Sequence, residues 1–247
     1  MQQYTIHPLV VGINETDQGV MTYLRDYGKR IYLPIYVFYL KGGDKHILVD
    51  TGLEQFMVPE GAEKECGFKI LEFEAALDTL DLKPEDIDII IHTHLHNDHC
   101  ENDYKCTNAG FYIHEQELRT ISNPHPLDYR YVEDFIFEIR EAGRIKVVKE
   151  DQELFPGISV MHTPAHTPGG MTVFIDTAKG KTAITGFCVI RENFEPPIRI
   201  TAMEMEVIPP GTNINSYDAY NIMLKVRNMA DFIIPLHEPE FAAVESI

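Results

Sequence analysis

Residues 92–99 carry four histidines and one aspartate within eight positions. An apolar, β-branched run directly upstream predicts a buried strand, so the histidines begin where that strand ends. Residues two apart in an extended chain point to the same side, so His94 and His96 can aim two imidazoles at one point. Asp98 and His99 follow where the chain starts to turn and can aim at a second, adjacent point. Because divalent metals take neutral imidazoles and carboxylates as ligands, the pattern predicts a metal centre rather than a polar turn.

Three further polar residues stand at the ends of predicted strands. His166 lies in residues 163–170, where two prolines and two glycines predict a rigid loop with little side-chain bulk. Such a loop suits a single ligand that must approach a metal held elsewhere. His237 ends a final apolar run. Asp50 ends a strand before a glycine turn, where it either caps its own backbone or orients a metal-bound histidine.

The remaining histidines and the cysteines predict no site of their own. His114 and His125 are isolated in the sequence, and we predict that neither is a ligand. The cysteines lack the paired C-x-x-C spacing that is typical of zinc–thiolate sites. We therefore predict structural roles for the cysteines near the cluster and at residue 66, and we leave that of Cys188 open. The four cysteines are Cys66, Cys100, Cys106 and Cys188.

Composition limits the classes of partner. The chain has 247 residues, 44% of them hydrophobic, and a net charge of −18. This charge disfavours nucleic acids and anionic membranes, which need a basic face, although a metal pair would supply local positive charge. No run is apolar and long enough to span a bilayer, and the N-terminus lacks signal-peptide features. We expect one α/β domain over residues 1–247, in the cytoplasm with reduced thiols.

The elements that position these residues alternate between strands and helices. Paired strands are predicted in residues 1–50, and buried strands precede the histidine cluster and His237. Residues 57–68 are interpreted as a loop or short helix. The other predicted strands are residues 111–114, 157–162, 171–176 and 182–186, and the predicted helices are residues 72–82, 115–121, 134–142 and 216–230, the last with Ile222, Val226 and Met229 on one face.

In this order the motifs resemble those of the metallo-β-lactamase superfamily. The matching pieces are residues 50–52, the motif His94-x-His96-x-Asp98-His99, His166 in its loop, and His237. Within the superfamily, the chain looks most like the N-acyl-homoserine lactonase group of metallo-hydrolases. That narrower likeness rests on residues 94–99, 123–126 and 192–194.

The resemblance implies an αββα sandwich of two mixed β-sheets, with the site at one edge. It implies that one metal is bound by His94, His96 and His166. It implies that a second metal is bound by Asp98, His99 and His237, with Asp50 orienting a ligand behind them. Zinc is the expected metal, and iron or manganese stays open, as does the number of ions.

The chain departs from the family pattern at one ligand position. In the family, an aspartate that bridges both metals follows the strand after the third histidine ligand. Phe187 stands at that position here, and Phe187 cannot ligate a metal. Cys188 is one residue further on, and would reach the metals only through a shifted loop. In the lactonases a tyrosine assists the substrate carbonyl, and Ile190 stands at its position.

These features predict a metal-dependent hydrolase of a lactone or carboxylic ester, with a small molecule as its partner. Asp98 is the candidate catalytic residue, because it can orient the attacking water and deliver a proton to the leaving group. A thioester or phosphodiester hydrolase, an iron-dependent redox enzyme, and a non-hydrolytic metal-binding protein are the alternatives. A homodimer also stays open. Substrate specificity is expected from residues 55–68, 123–135 and 191–212.

Overall fold

A computed structural model describes residues 2–54 and 62–247, and in them the strands form two mixed β-sheets. The first sheet has the order β1-β2-β3-β4-β5-β6, with antiparallel pairs up to β3 and parallel pairs from β3 to β6. Its strands are β1 (Thr5–Asp17), β2 (Arg30–Lys41), β3 (Ile47–Val49), β4 (Ile89–Ile91), β5 (Gly110–His114) and β6 (Ile145–Val148).

The second sheet has the order β11-β10-β9-β8-β7. β10 and β11 are parallel, and the other neighbours are antiparallel. β8, β10 and β11 therefore end at the same edge. Its strands are β7 (Gln152–Phe155), β8 (Ile158–His162), β9 (Met171–Thr177), β10 (Gly180–Ile184) and β11 (Phe232–Ile234).

Helices cover the outer face of each sheet. Buried residues of α2, α4 and α5 join a hydrophobic cluster with the first sheet, and buried residues of α8 join one with the second. This arrangement confirms the αββα sandwich. The helices are α1 (Ala62–Cys66), α2 (Phe73–Asp78), α3 (Asn97–Cys100), α4 (Glu115–Ser122), α5 (Asp134–Glu141), α6 (Arg191–Phe194), α7 (Ile198–Thr201) and α8 (Ser216–Met229).

The core between the sheets follows from the two-residue period of the strands. In β2, Phe38 belongs to the cluster shared by both sheets, whereas Val37 belongs to the cluster under the helices. The same alternation holds in β4, where Ile91 faces the second sheet and Ile90 faces the helices. Both faces of these strands are covered, which explains why they read as continuous apolar runs.

Two helix predictions were wrong in detail. The helix expected over residues 72–82 ends at Asp78, and Asp81 adopts a left-handed conformation with φ of 58°. In α8 the buried face is formed by Ala219, Met223 and Val226, whereas Met229 is exposed. Of the predicted face, Val226 is buried and Ile222 packs against the same cluster, so spacing was wrong only for Met229 and missed Ala219 and Met223. β6 and β7 were not predicted, and residues 57–61 of the predicted loop lie outside the described residues.

Candidate metal centre

The ends of buried strands from both sheets bring two groups of three possible ligands together. In the first group, His94, His96 and His166, one ligand atom of each residue lies within 4.8 Å of those of the others. The second group meets the same limit. The two groups adjoin, because the ring centroids of His94 and His99 are 4.2 Å apart. The second group consists of Asp98, His99 and His237.

These six residues are the ones that the resemblance assigns to two metals. β4 leads into the cluster of residues 92–99. The loop after β8 carries His166, and the segment after β11 carries His237. All five imidazoles of the two groups are buried, and only Asp98 is partly exposed.

One nitrogen of each imidazole in the two groups is engaged by another group of the chain. Such contacts fix the tautomer and orientation of a ligand and leave the second nitrogen for a metal. The partners are Thr93 Oγ1 for His94 Nδ1 (3.0 Å), Asp128 Oδ2 for His96 Nε2 (3.0 Å), Asp50 Oδ2 for His99 Nδ1 (2.9 Å), the Thr212 carbonyl for His166 Nδ1 (2.8 Å) and the Pro34 carbonyl for His237 Nδ1 (3.1 Å).

Asp50 contacts the second group directly and is linked to the first group through Thr93. Its carboxylate accepts hydrogen bonds from the Thr93 backbone N–H and hydroxyl, both at 2.7 Å, and from His99 Nδ1. Since the Thr93 hydroxyl donates to Asp50, it is an acceptor for His94 Nδ1. Asp50 therefore orients His99 directly and His94 through Thr93. This placement agrees with the orienting role and not with a carboxylate that only caps its own turn.

His92, the fourth histidine of the cluster, belongs to neither group. Its Nε2 lies 2.9 Å from Asp103 Oδ2 and its Nδ1 lies 3.5 Å from Asp50 Oδ1. Burial lowers the pKa of His92, but the Asp103 and Asp50 carboxylates outweigh this effect and raise the pKa to about 10. His92 is therefore buried between two carboxylates, which favour its protonated form. Sequence reasoning missed Asp103, eleven residues from its partner.

The donor set fits a divalent metal. Burial and the neighbouring imidazoles hold the pKa of His94 and of His166 well below the ordinary value, and bring that of His237 to about 4. These rings are neutral near pH 7, which is the form that ligates a metal. Burial raises the pKa of Asp98, but His99, His237, His96 and Arg130 outweigh it and keep the carboxylate ionised.

The loop predicted to contribute specificity also supports the cluster. Asp128, which holds His96, accepts a hydrogen bond from Arg130 Nε at 2.8 Å. The ring of Tyr131 packs against that of His96 with centroids 4.7 Å apart. No local sequence signal marks Asp128, because the residue it holds is 32 positions away.

The departures from the family pattern have clear positions in the structure. Phe187 is fully buried in the cluster between the second sheet and α8, 6.4 Å from Phe194 between ring centroids. The Cys188 thiol lies 3.6 Å from Met21 Sδ and belongs to neither group of ligands. Burial and, to a smaller extent, the Asp98 charge raise the pKa of Cys188 to about 12. Ile190 packs against the small apolar cluster that contains Cys188 and Met21.

The other predicted non-ligands lie outside both groups. Cys100 and Cys106 are buried, and burial raises the pKa of both thiols. His114 Nδ1 accepts a hydrogen bond from the Gln116 backbone N–H at the start of α4. His125 is exposed and accepts one from the backbone of Leu127.

No helix of the described residues has the length and apolarity needed to cross a membrane.

Two mixed sheets with helices on both outer faces, and a histidine cluster at their shared edge, define the class of fold and site. A profile of the metallo-beta-lactamase superfamily matches residues 31–186, more than half of the chain. The chain belongs to the metallo-β-lactamase superfamily.

Relatives within the superfamily include lactonases. N-acyl homoserine lactonase of Bacillus cereus is 28% identical over 193 residues, which cover 73% of this chain and 74% of the lactonase. A solved AiiA mutant of B. thuringiensis with N-decanoyl-L-homoserine at its active site has a TM-score of 0.75 at 23% identity, covering 97% and 95% of the two chains. AidC, a dizinc quorum-quenching lactonase, has a TM-score of 0.69 at 16% identity, covering 99% and 92%.

Proposed function

We propose that this protein is a metal-dependent hydrolase that cleaves a lactone or a carboxylic ester. The observation that carries the proposal is the convergence of two adjacent ligand groups at one sheet edge, with one nitrogen of every imidazole held by the chain. Lactonases among the relatives support the choice of a lactone.

His94, His96 and His166 would hold one divalent cation, and Asp98, His99 and His237 would hold a second. A bound cation supplies two things here: it lowers the pKa of a water ligand to about 7, and it polarises a carbonyl oxygen. Zinc suits a set of five imidazoles and one carboxylate, and iron and manganese are the alternatives to be tested.

Asp98 is the proposed catalytic residue. Its side chain keeps 15% of its surface exposed, the largest exposure among the six ligand residues. Its carboxylate can accept a hydrogen bond from the attacking water. The proton that this water loses can then pass through Asp98 to the leaving alkoxide oxygen, which leaves the carboxylate ionised for the next turnover. Asp50 fixes the neighbouring His99 at 2.9 Å throughout.

A non-hydrolytic metal-binding protein is the second candidate function. It is favoured by Phe187 and Ile190, which the resemblance predicts at the positions of the family's bridging aspartate and of the lactonase tyrosine and which are packed in apolar clusters. In this candidate the ligand groups bind a metal, but the site lacks groups that the lactonases use in turnover.

Reconstitution and turnover distinguish these functions. Protein stripped of metal is reloaded with Zn, Mn or Fe, its ions per chain are counted, and it is assayed on panels of lactones, esters and phosphodiesters. Lactone or ester turnover that His94→Ala abolishes supports the proposal. Bound metal without turnover on any panel supports the second candidate, and phosphodiester turnover alone would replace the substrate class. A chain that binds no metal would refute both candidates.

A further inference from the structure

Glu117 is a buried carboxylate on the first turn of α4 that the metal groups do not include. It is 1% exposed. Its Oε2 accepts hydrogen bonds from the Leu95 backbone N–H and the Tyr131 hydroxyl, both at 2.9 Å, and its Oε1 accepts one from the Gly169 backbone N–H at 2.8 Å. A buried carboxylate is costly unless its oxygens are satisfied, so these three donors explain how Glu117 is tolerated.

The three donors all belong to segments that carry or contact the first ligand group. Leu95 stands between His94 and His96, and Gly169 lies in the loop of His166. Tyr131 packs its ring against that of His96. Glu117 thus joins the loop after β4, in the first sheet, to the loop after β8, in the second.

A second observation shows how closely α4 meets the loop of His166. A Cβ atom added to Gly169 would lie 2.4 Å from the Glu117 backbone nitrogen, closer than any side chain tolerates. Besides Glu117, the two loops are also joined by the backbone hydrogen bond from Met171 N–H to the Thr93 carbonyl, at 2.7 Å. The two loops are therefore joined in two ways: through the side chain of Glu117, and through the backbone hydrogen bond between Met171 and Thr93 at the strand ends.

We propose that Glu117 is a positioning residue that fixes His166 relative to His94 and His96 and so sets the metal affinity of the first group. The inference rests on the metal-binding part of the proposed function and is independent of the substrate. Removing a group that orients metal ligands costs about 10- to 100-fold in affinity, and Glu117 acts on three ligands through two loops.

Glu117→Gln tests this role. A carboxamide keeps the shape but has one acceptor oxygen and one NH₂ group. Its NH₂ group must therefore face a backbone N–H of one of the two loops, and that hydrogen bond is lost. We expect Zn²⁺ affinity, measured by competition with a chromophoric chelator, to fall about 10- to 100-fold. We also expect the visible spectrum of the Co²⁺-loaded protein to change, because it reports the arrangement of the ligands.

Asp88→Asn is the matched control. Asp88 also accepts a backbone hydrogen bond, from His46 N–H at 2.9 Å, but it lies before β4, at the end opposite the metal groups. This variant should keep the Zn²⁺ affinity and the Co²⁺ spectrum of the unaltered protein, even where its unfolding temperature drops.

If Glu117→Gln does not fold, as judged by circular dichroism, Tyr131→Phe is the second test variant. It removes a single hydrogen-bond donor to Glu117 and keeps the ring against His96. A smaller loss of Zn²⁺ affinity in Tyr131→Phe supports the proposal. Unchanged affinity and spectrum in the folded variants would overturn it. Failure of the unaltered protein to bind Zn²⁺ is a different result, because it would refute the proposed metal centre itself.

Discussion

The two ligand groups differ in charge and in how they are held. The first group has three buried imidazoles, each held by a different partner: Thr93, Asp128 and Thr212. The second has two imidazoles and the partly exposed Asp98, whose carboxylate has no protein hydrogen bond among the described residues beyond a 3.5 Å approach to His99 Nε2. The first group is therefore the better organised of the two for holding a cation.

The resemblance predicts that the family's bridging carboxylate, which would compensate for this difference, is replaced here by Phe187, which is fully buried. A bridging carboxylate places negative charge between two cations about 3.5–4 Å apart and offsets their repulsion. With Phe187 at the predicted position that charge is missing, and the nearby Cys188 does not replace it, because burial raises the pKa of its thiol to about 12. We therefore expect the two ligand groups to differ in their affinity for a cation. We expect one tight ion and one weak ion.

The largest expected effect comes from removing the third ligand of the first group. His166→Ala should abolish binding of the tight ion and reduce hydrolysis below detection, because two imidazoles alone rarely retain a cation against water. Ion content per chain and initial rate measure the two effects. His125→Ala is the control for ion content, since it changes an exposed histidine outside both groups. Full activity in His166→Ala would contradict the assignment.

The second group should yield a smaller effect on ion content. His237→Ala should eliminate the weak binding step and leave the tight step unchanged, because the Nδ1 partner of His237 is the Pro34 carbonyl and not a residue of the first group. A calorimetric titration of the metal-free protein with Zn²⁺ resolves the tight and the weak binding step. Loss of both steps in this variant would show that the two groups bind cooperatively and do not differ in affinity as expected.

Restoring the family carboxylate at residue 187 should destabilise the fold rather than repair the site. The Phe187 ring packs in the cluster between the second sheet and α8, so an aspartate there would be buried without a partner. We expect Phe187→Asp to lower the free energy of unfolding by more than about 3 kcal/mol, measured in urea. Phe187→Leu, the control, should lose about 1 kcal/mol. A stable aspartate variant with a tighter second ion would show that residue 187 reaches the metals.

The sequence predicted the residues of this site whose signal lies in their immediate sequence neighbours. The alternation of His94 and His96 after an apolar run marks a strand end, and a glycine turn marks Asp50. The partners that hold the rings are not local: Glu117 meets Gly169 across 52 positions, and Asp128 meets His96 across 32. Their selection depends on which loops the two sheets bring together. The sandwich was predicted from the resemblance to the superfamily, whereas the helical spacing of α8 identified Val226 but not its buried neighbours Ala219 and Met223.

The smallest effect, and the sharpest comparison of the two groups, comes from the carboxylates behind the ligands. Asp50→Asn should weaken both binding steps about 10-fold or more, because Asp50 orients His99 directly and His94 through Thr93. Asp128→Asn should weaken only the tight step, since Asp128 contacts His96 alone among the ligands.

Both variants replace a carboxylate by a near-isosteric amide, so a difference between them reflects which ligands each carboxylate holds and not a change of volume. Zn²⁺ titrations of the two variants measure the affinity of each binding step. Equal losses in both steps for Asp128→Asn would mean that the groups share their ions. An effect of Asp50→Asn confined to one step would mean that the Thr93 hydroxyl does not transmit the orientation of Asp50 to His94.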